Sequence, residues 1–280
     1  MFIFSEPRAG DTRLTGGEGV KTLNLVKLAL QYHWDAHKSN PANLFAGTIG
    51  MLVNNLIVFW GLWAMLFDGK PDAEQLTIYF LALNAMVTLA WGANCFFLGG
   101  IRSIGEYIEE GSLEPMLATP RDPLLLVAIS QSSTPALGDL LQGCCNLIAL
   151  FFLAPIALAS RCVLFTLVAA AAFLGLFILA GSIPFFVRRG NAMSQLLVEC
   201  NLSLSFYPTG KIFTDRGRVL LYLTPAAFSG VLPMGAIESG SWTSALVAVV
   251  GAGTFLGLAI LIFRHGLRRY QSSSYVMARG

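Results

Sequence analysis

Two carboxylates fall where water is scarce. Asp139 lies in the first turns of one apolar stretch, and Glu199 lies midway along another. An ionised acid in hydrocarbon costs roughly 3 kcal/mol or more, so such a residue faces protein or a water-filled cavity. The chemistry this permits is a polar pathway lining or ion coupling. The plainer readings are a hydrated helix end for Asp139 and a satisfied structural contact for Glu199. Ser194, Gln195, Asn201 and Ser203 share the second stretch with Glu199. A helix this polar should not face lipid all round. Asp139, Ser194, Glu199 and Asn201 are therefore the candidates for a substrate pathway or a subunit interface.

Other chemistry lacks its residues. No GxxxxGK[ST] occurs; Gly16-Gly17-Glu18-Gly19-Val20-Lys21-Thr22 misplaces the lysine and follows no strand. A P-loop for ATP is thus not expected. His33 and His37 stand four apart, but Asp35 is misplaced for a zinc protease, and no metal site is expected. Gly138-Asp139 lacks the GxGD pattern of intramembrane aspartyl proteases, and no second aspartate lies inside an apolar stretch. No serine has a histidine partner there, so no catalytic residue is named. Cys95, Cys144, Cys145, Cys162 and Cys200 form no CxxC pair and read as buried small hydrophobes.

The elements that carry these residues follow from composition. Of 280 residues, 55% are hydrophobic and 12% charged, and the mean hydropathy is +0.65. A soluble domain carries about 25% charged residues, so most of this chain cannot face water. The net charge of +2 gives no sign of a nucleic-acid surface. A membrane helix needs about 20 apolar residues to cover about 30 Å of hydrocarbon. Five clear runs qualify: 43–67, 76–98, 135–158, 163–187 and 241–263. The shorter, more polar run 191–207 is expected to be a sixth span. No basic leader precedes the first run, which is expected to stay as an anchor. With the N-terminus inside, thirteen of the eighteen Lys and Arg residues fall on the cytoplasmic side, Arg188 and Arg189 among them. That asymmetry favours both termini in the cytoplasm. The expected fold is an all-α, multi-pass membrane bundle: a cytoplasmic segment 1–42, a six-helix domain 43–265 and a cytoplasmic tail 266–280.

Three segments are not spans. In 20–37, Leu23, Val26, Leu30 and Trp34 share one helical face, widened by Leu25, Ala29 and His33, opposite Lys21, Asn24, Lys27, Gln31 and Asp35. This predicts an amphipathic helix in the inner headgroup layer. The inner loop 100–123 carries five acids (Glu106, Glu109, Glu110, Glu114 and Asp122) against Arg102 and Arg121. A short helix is expected from about Ile101 to Glu110, stopped by Gly111, then a turn around Pro115, Pro120 and Pro123. The outer segment 208–240 holds the apolar stretch 219–232, whose fourteen residues reach about 21 Å, too little to cross. It is expected to be re-entrant, with a surface-lying helix as the alternative. Lys211, Arg216 and Arg218 cluster there with Asp215, a grouping expected to be solvated. No internal repeat is visible, which weighs against an inverted-repeat transporter.

Taken in order, these segments resemble the membrane subunit of an ABC-2 family ABC exporter, in its short form without a fused ATPase. The resemblance covers most of the chain. It rests on LVKLALQYHWDA with the first-span ending FWGLWAMLF, and on the loop from Ile101-Arg102-Ser103-Ile104-Gly105 to Gly111-Ser112-Leu113-Glu114-Pro115-Met116-Leu117-Ala118-Thr119-Pro120. It rests also on Ser205-Phe206-Tyr207-Pro208 with Ile212-Phe213, Leu223-Thr224-Pro225 and Leu232-Pro233, and on the tail Gly266-Leu267-Arg268-Arg269-Tyr270-Gln271-Ser272-Ser273-Ser274. Thr119 and His33 stand where the family often has Arg.

The resemblance implies that the inner loop is an ATPase-coupling element, through Ile101, Arg102, Gly105, Glu106, Glu109, Glu110, Gly111, Leu113 and Pro120. It implies a separate ABC ATPase subunit holding ATP and Mg, with no cofactor on this chain. It implies a second permease subunit, identical or related, within a bacterial cytoplasmic membrane, and outward transport. The few charged pathway residues favour an amphipathic or hydrophobic substrate over a charged one. The alternatives are an ion-coupled secondary transporter or channel using Asp139 and Glu199, and a membrane scaffold without transport.

Overall fold

In the computed structural model, residues 18–187, 190–207, 219, 221, 222 and 224–270 are described, and helix is their only regular structure. Several sequence features lie outside them: the glycine-rich Gly16-Gly17, Arg188 and Arg189, the Lys211–Arg218 cluster, Ile212-Phe213, Leu223 and the tail after Tyr270. The chain begins with α1 (Glu18–Ser39) and enters α2 (Pro41–Phe67) through Asn40. The Asn40 side chain accepts the Asn43 N–H at 3.2 Å, and Pro41 opens the helix where its missing N–H costs nothing. The next helix, α3 (Ala73–Phe97), leads into a 3-10 turn (Gly99–Ser103) and three short helices: α4 (Ile104–Glu109), α5 (Glu114–Leu117) and α6 (Pro123–Ala128). Two long helices follow, α7 (Ala136–Leu153) and α8 (Ile156–Ser182), the second prolonged by a 3-10 turn to Phe185. Then come α9 (Asn191–Phe206), a π turn (Ala227–Val231), α10 (Leu232–Ser239) and α11 (Trp242–Arg269).

Among the described residues, α2, α3, α7, α8 and α11 are long and apolar enough to cross a membrane. At 16 residues, α9 reaches only about 24 Å, less than a bilayer core. Two ends of the bundle can be told apart. One holds residues 98–135 and may be called the loop end. There Gly105 meets Asn191 at the start of α9, and Arg264 near the end of α11 pairs with Asp122 at 3.7 Å. At the other, the turn end, Gly240 lies against Arg161 of α8. Since α8 finishes at the loop end and α11 starts at the turn end, residues 183–241 carry the chain from one end to the other.

Helix α3 is the centre. Of its apolar stretch 78% is buried, against 6% for α2, which leaves α2 for lipid or a partner. In lipid the apolar effect between helices is weak, so close packing of small residues must hold them. Gly92, Gly138 and Gly143 do this at the α2–α3–α7 contacts, where a Cβ on any of them would crowd the neighbouring helix. Aromatic rings fill the space between α3 and α8: Trp91 meets Phe173 and Phe177 edge-on at 5.6 and 5.1 Å.

Several boundaries differ from expectation. The third span stops at Leu153 instead of continuing to Leu158, because Ala154 is extended and Pro155 cannot donate into the helix. The fourth therefore starts at Ile156, before the expected Val163, and Arg161 sits within it, donating from Nε to the Ala157 carbonyl at 3.0 Å. The expected 101–110 helix divides into a 3-10 turn and α4, and Gly111 ends it with φ 72°. The expected proline turn is partly helical. Pro115 and Pro123 occupy the first turns of α5 and α6, where proline fits, and Asp122 caps α6 by accepting from the Leu124 and Leu125 N–H groups. The cysteines are not uniformly buried: Cys95 and Cys162 are, whereas Cys144, Cys145 and Cys200 are exposed on their helices.

Candidate functional site

The loop end concentrates the polar chemistry. Its short elements have a packed side and an open side. Ile101, Ile104, Gly105 and Leu113 are buried, with Ile104 against Gly181 of α8 and Gly105 against Asn191 of α9. Gly100 is packed so tightly on the Val127 carbonyl and Ser130 that any side chain would collide. Tyr107 is buried too; its hydroxyl bonds Ser130 at 2.8 Å, and burial raises its pKa. Glu106, Glu109, Glu110 and Pro120 are exposed, and Gly111 is half-buried at the bend. The nine candidate coupling residues are thus divided. Ile101, Gly105 and Leu113 brace the element, while the three glutamates and Pro120 present a face to solvent.

Arg102 does neither. Its guanidinium turns into the bundle, 4.8 Å from the Trp91 ring and 5.6 Å from the Phe177 ring, and donates to Glu199 of α9 at 3.0 Å. Stacking on aromatic faces suits the planar guanidinium. The pair borders a half-open vestibule of about 530 Å³. Arg102, Glu106, Gln131, Ser133, Gln195 and Glu199 contribute polar groups to it. The vestibule lies between the end of α3, the 3-10 turn, residues 131–135 and α9.

The four pathway candidates do not converge. On α9, Ser194, Val198, Asn201 and Ser205 are buried on one face. Ser194 donates to the Ala180 carbonyl at 2.6 Å, and Asn201 donates to Ser229 at 3.4 Å. Gln195, Glu199 and Ser203 occupy the opposite, exposed face. The helical period explains the division: three- and four-residue steps put each set on its own side. Of the four, Glu199 alone lines the vestibule. Asp139 is not at a hydrated helix end. It is 3% exposed, accepts from Asn55 of α2 at 2.7 Å and packs on Gly92 of α3.

The sequence reading missed two polar features. His33 and His37 are neither a metal pair nor simply part of a lipid face. His33 donates to the Ile129 carbonyl at 2.9 Å, and His37 bonds Ser132 and Thr134 at 3.1 and 2.9 Å. They tie α1 to residues 129–134. The partly buried face of α1 is accordingly Leu25, Val26, Ala29, Leu30, His33 and His37, leaving Leu23 and Trp34 exposed. The second feature is an amide ladder, Gln142 to Asn146 to Asn84, between α7 and α3. Its signal was Gln142 and Asn146 four apart in an apolar run.

A family model described as "ABC-2 family transporter protein" matches residues 72–274. That is well over half of the chain. The chain belongs to the ABC-2 transporter family. The matched region runs from the start of α3 past the end of α11, and so contains the loop end and the vestibule. This ABC-2 permease is a multi-pass membrane protein with a transport role. No curated protein and no solved structure matches the chain.

Proposed function

We propose that this ABC-2 permease is the transmembrane part of an ATP-driven exporter in a bacterial cytoplasmic membrane. The observation that carries the reading is the braced, acidic α4. Its buried side rests on α8 and α9, and its open side offers Glu106, Glu109 and Glu110. A separate ATPase, holding ATP and Mg, would grip that face with basic residues. Movement of α4 would pass directly to the end of α8 and the start of α9, since packed elements shift as units. ATP binding to the partner would then bias two arrangements of the permease.

In this reading the chain crosses six times. The fifth crossing, between α8 and α11, is compound: α9 rises from the loop end, and the π turn and α10 finish at the turn end, with Ser229 bonded to Ser205 at 2.8 Å between them. Of the expected re-entrant segment 208–240, residues 208–218, 220 and 223 lie outside the described residues. The loop end, α1 and both termini would be cytoplasmic. A second permease subunit, identical or related, would cover the outward face of α9, because Gln195, Glu199 and Ser203 are poor lipid contacts. The vestibule would admit substrate from the cytosol or inner leaflet, with amphipathic cargo suiting its mixed polar and apolar lining. Ion coupling through Asp139 and Glu199 has less support: Asp139 is sealed against α2 and α3, and Glu199 is engaged by Arg102.

The test is charge reversal of the docking face. Tagged permease purified from its own host membrane should bring along Mg-dependent ATPase activity. The variant Glu106→Lys/Glu109→Lys/Glu110→Lys should lose at least tenfold of that activity while keeping its yield and thermal midpoint. Undiminished co-purification would overturn the docking role.

A further inference from the structure

Helix α11 leaves the bilayer at the loop end along a single exposed stripe that turns from apolar to basic. Residues 242–263 rise about 33 Å, enough to cover a hydrocarbon core of about 30 Å, so Arg264 to Arg269 stand at headgroup depth. Steps of three and four place Leu258, Leu261, Ile262, His265, Arg268 and Arg269 on one face, and all of them are exposed. Ala252, Ala259, Phe263 and Gly266 face the bundle instead and are buried. Gly266 lets Phe185, at the end of the turn after α8, pack close. The next residue, Phe186, is itself exposed and stacks on His265 with 6.2 Å between ring centres. The apolar stripe thus runs without a break into two guanidinium groups beside an exposed aromatic ring.

Those two charges have no acid to meet. Arg264, one turn before Arg268, pairs with Asp122 at 3.7 Å, whereas among the described residues no acid pairs with Arg268 or Arg269. Residues 271–280, which follow them, contain no Asp or Glu. Both arginines complement the negative end of the helix, a weak interaction that leaves their N–H groups free to donate. A guanidinium fork matches the oxygens of a phosphate. We propose that this stripe is a binding site for an anionic phospholipid, its acyl chains on Leu258, Leu261 and Ile262 and its phosphate on Arg268 and Arg269. A soluble acidic partner would satisfy the arginines and leave the exposed leucines uncovered, whereas a lipid covers both. A zwitterionic lipid brings its own cation to the phosphate, so the arginines select the anionic kind. The site stands apart from the export reading, since it uses neither the docking face nor the vestibule.

The test is lipid selection by the full chain, purified and stripped of lipid in a neutral detergent. The probes are dioleoylphosphatidylglycerol and dioleoylphosphatidylcholine, alike in their chains, one anionic and one zwitterionic. Native mass spectrometry measures the lipid retained. The anionic lipid should bind at least about fivefold more tightly, and Arg268→Gln/Arg269→Gln should abolish that preference while Arg264→Gln keeps it. Equal retention of the two lipids would overturn the proposal; a second copy of the chain or a soluble acidic partner on this face would give that result. A preference that survives the double substitution, or falls equally with Arg264→Gln, would overturn it too. Hydrogen exchange on the unaltered chain, in nanodiscs of each lipid, keeps the test standing if the double variant fails to fold. Amides 264–270 should exchange at least about threefold more slowly in the anionic lipid, with amides 68–73 at the turn end unchanged. Equal exchange at 264–270 in the two lipids would overturn the proposal.

Discussion

Arg102 joins three helices by two kinds of contact whose strengths differ. Its bond to Glu199 is partly solvated, with side chains 35% and 59% exposed, and such pairs contribute about 0–1 kcal/mol. Its stacking on Trp91 and Phe177 contributes about 0.5–2 kcal/mol. Arg102→Ala should therefore destabilise the purified protein by about 1–2 kcal/mol, and Glu199→Gln by less than about 1 kcal/mol. Arg102→Lys should recover only part, because an ammonium cannot stack as a plane. Thermal melting of the three variants checks the order; a larger loss from Glu199→Gln would contradict it. His37 carries a pH dependence. Burial, and then the charge of His33, lowers its pKa from 6.5 in the docked state. The docked form thus resists the proton that the undocked form accepts. Docking of α1 is strongest above pH 6.5 and weakens as pH falls from 6.5 toward the lowered value. Hydrogen exchange at amides 33–39 should quicken over that interval, and His37→Gln should flatten the response.

At the scale of elements, membrane helices differ in how near their neighbours stand. A Cβ on Gly143 would fall 2.5 Å from Leu89 Cγ and 2.7 Å from Thr88 Oγ1, whereas one on Gly257 of α11 would meet nothing within 4 Å. Gly143→Ala should force α3 and α7 apart, at a cost of about 1–3 kcal/mol. Gly257→Ala should be neutral or slightly stabilising, since alanine is the better helix former. Melting curves of the two variants make the comparison, and equal behaviour would contradict the close α3–α7 seam. The two faces of α9 teach a related point. Its polar residues were visible as a set, but the same helix turns Ser194 and Asn201 inward and Gln195 and Glu199 outward. A polar residue in a span marks a need for a partner, and only packing says whether the partner lies in the same chain.

For the whole molecule, the proposed orientation has a direct consequence. Lys70 lies at the turn end and Glu109 at the loop end, and both are exposed. On intact cells, a membrane-impermeant maleimide should label Lys70→Cys and spare Glu109→Cys; inverted vesicles should give the reverse. Labelling of Glu109→Cys from outside would overturn the inner placement of the docking face. The basic residues support that placement from sequence, and the geometry adds that α1, residues 98–135 and the end of α11 share one end.

The sequence alone determined that this chain is a helical membrane permease, because twenty-residue apolar runs have no other economical use and the order of its short motifs matches one family. It also marked the acidic loop, since a long charged connection between spans stands out by composition. Only the tertiary structure decided which loop residues brace and which are presented, that Arg102 turns inward to Glu199, and that two histidines dock a helix. Helical periodicity narrows a side chain to one face of its own helix. Which neighbour that face meets depends on contacts between residues far apart in the chain, and no local pattern encodes them.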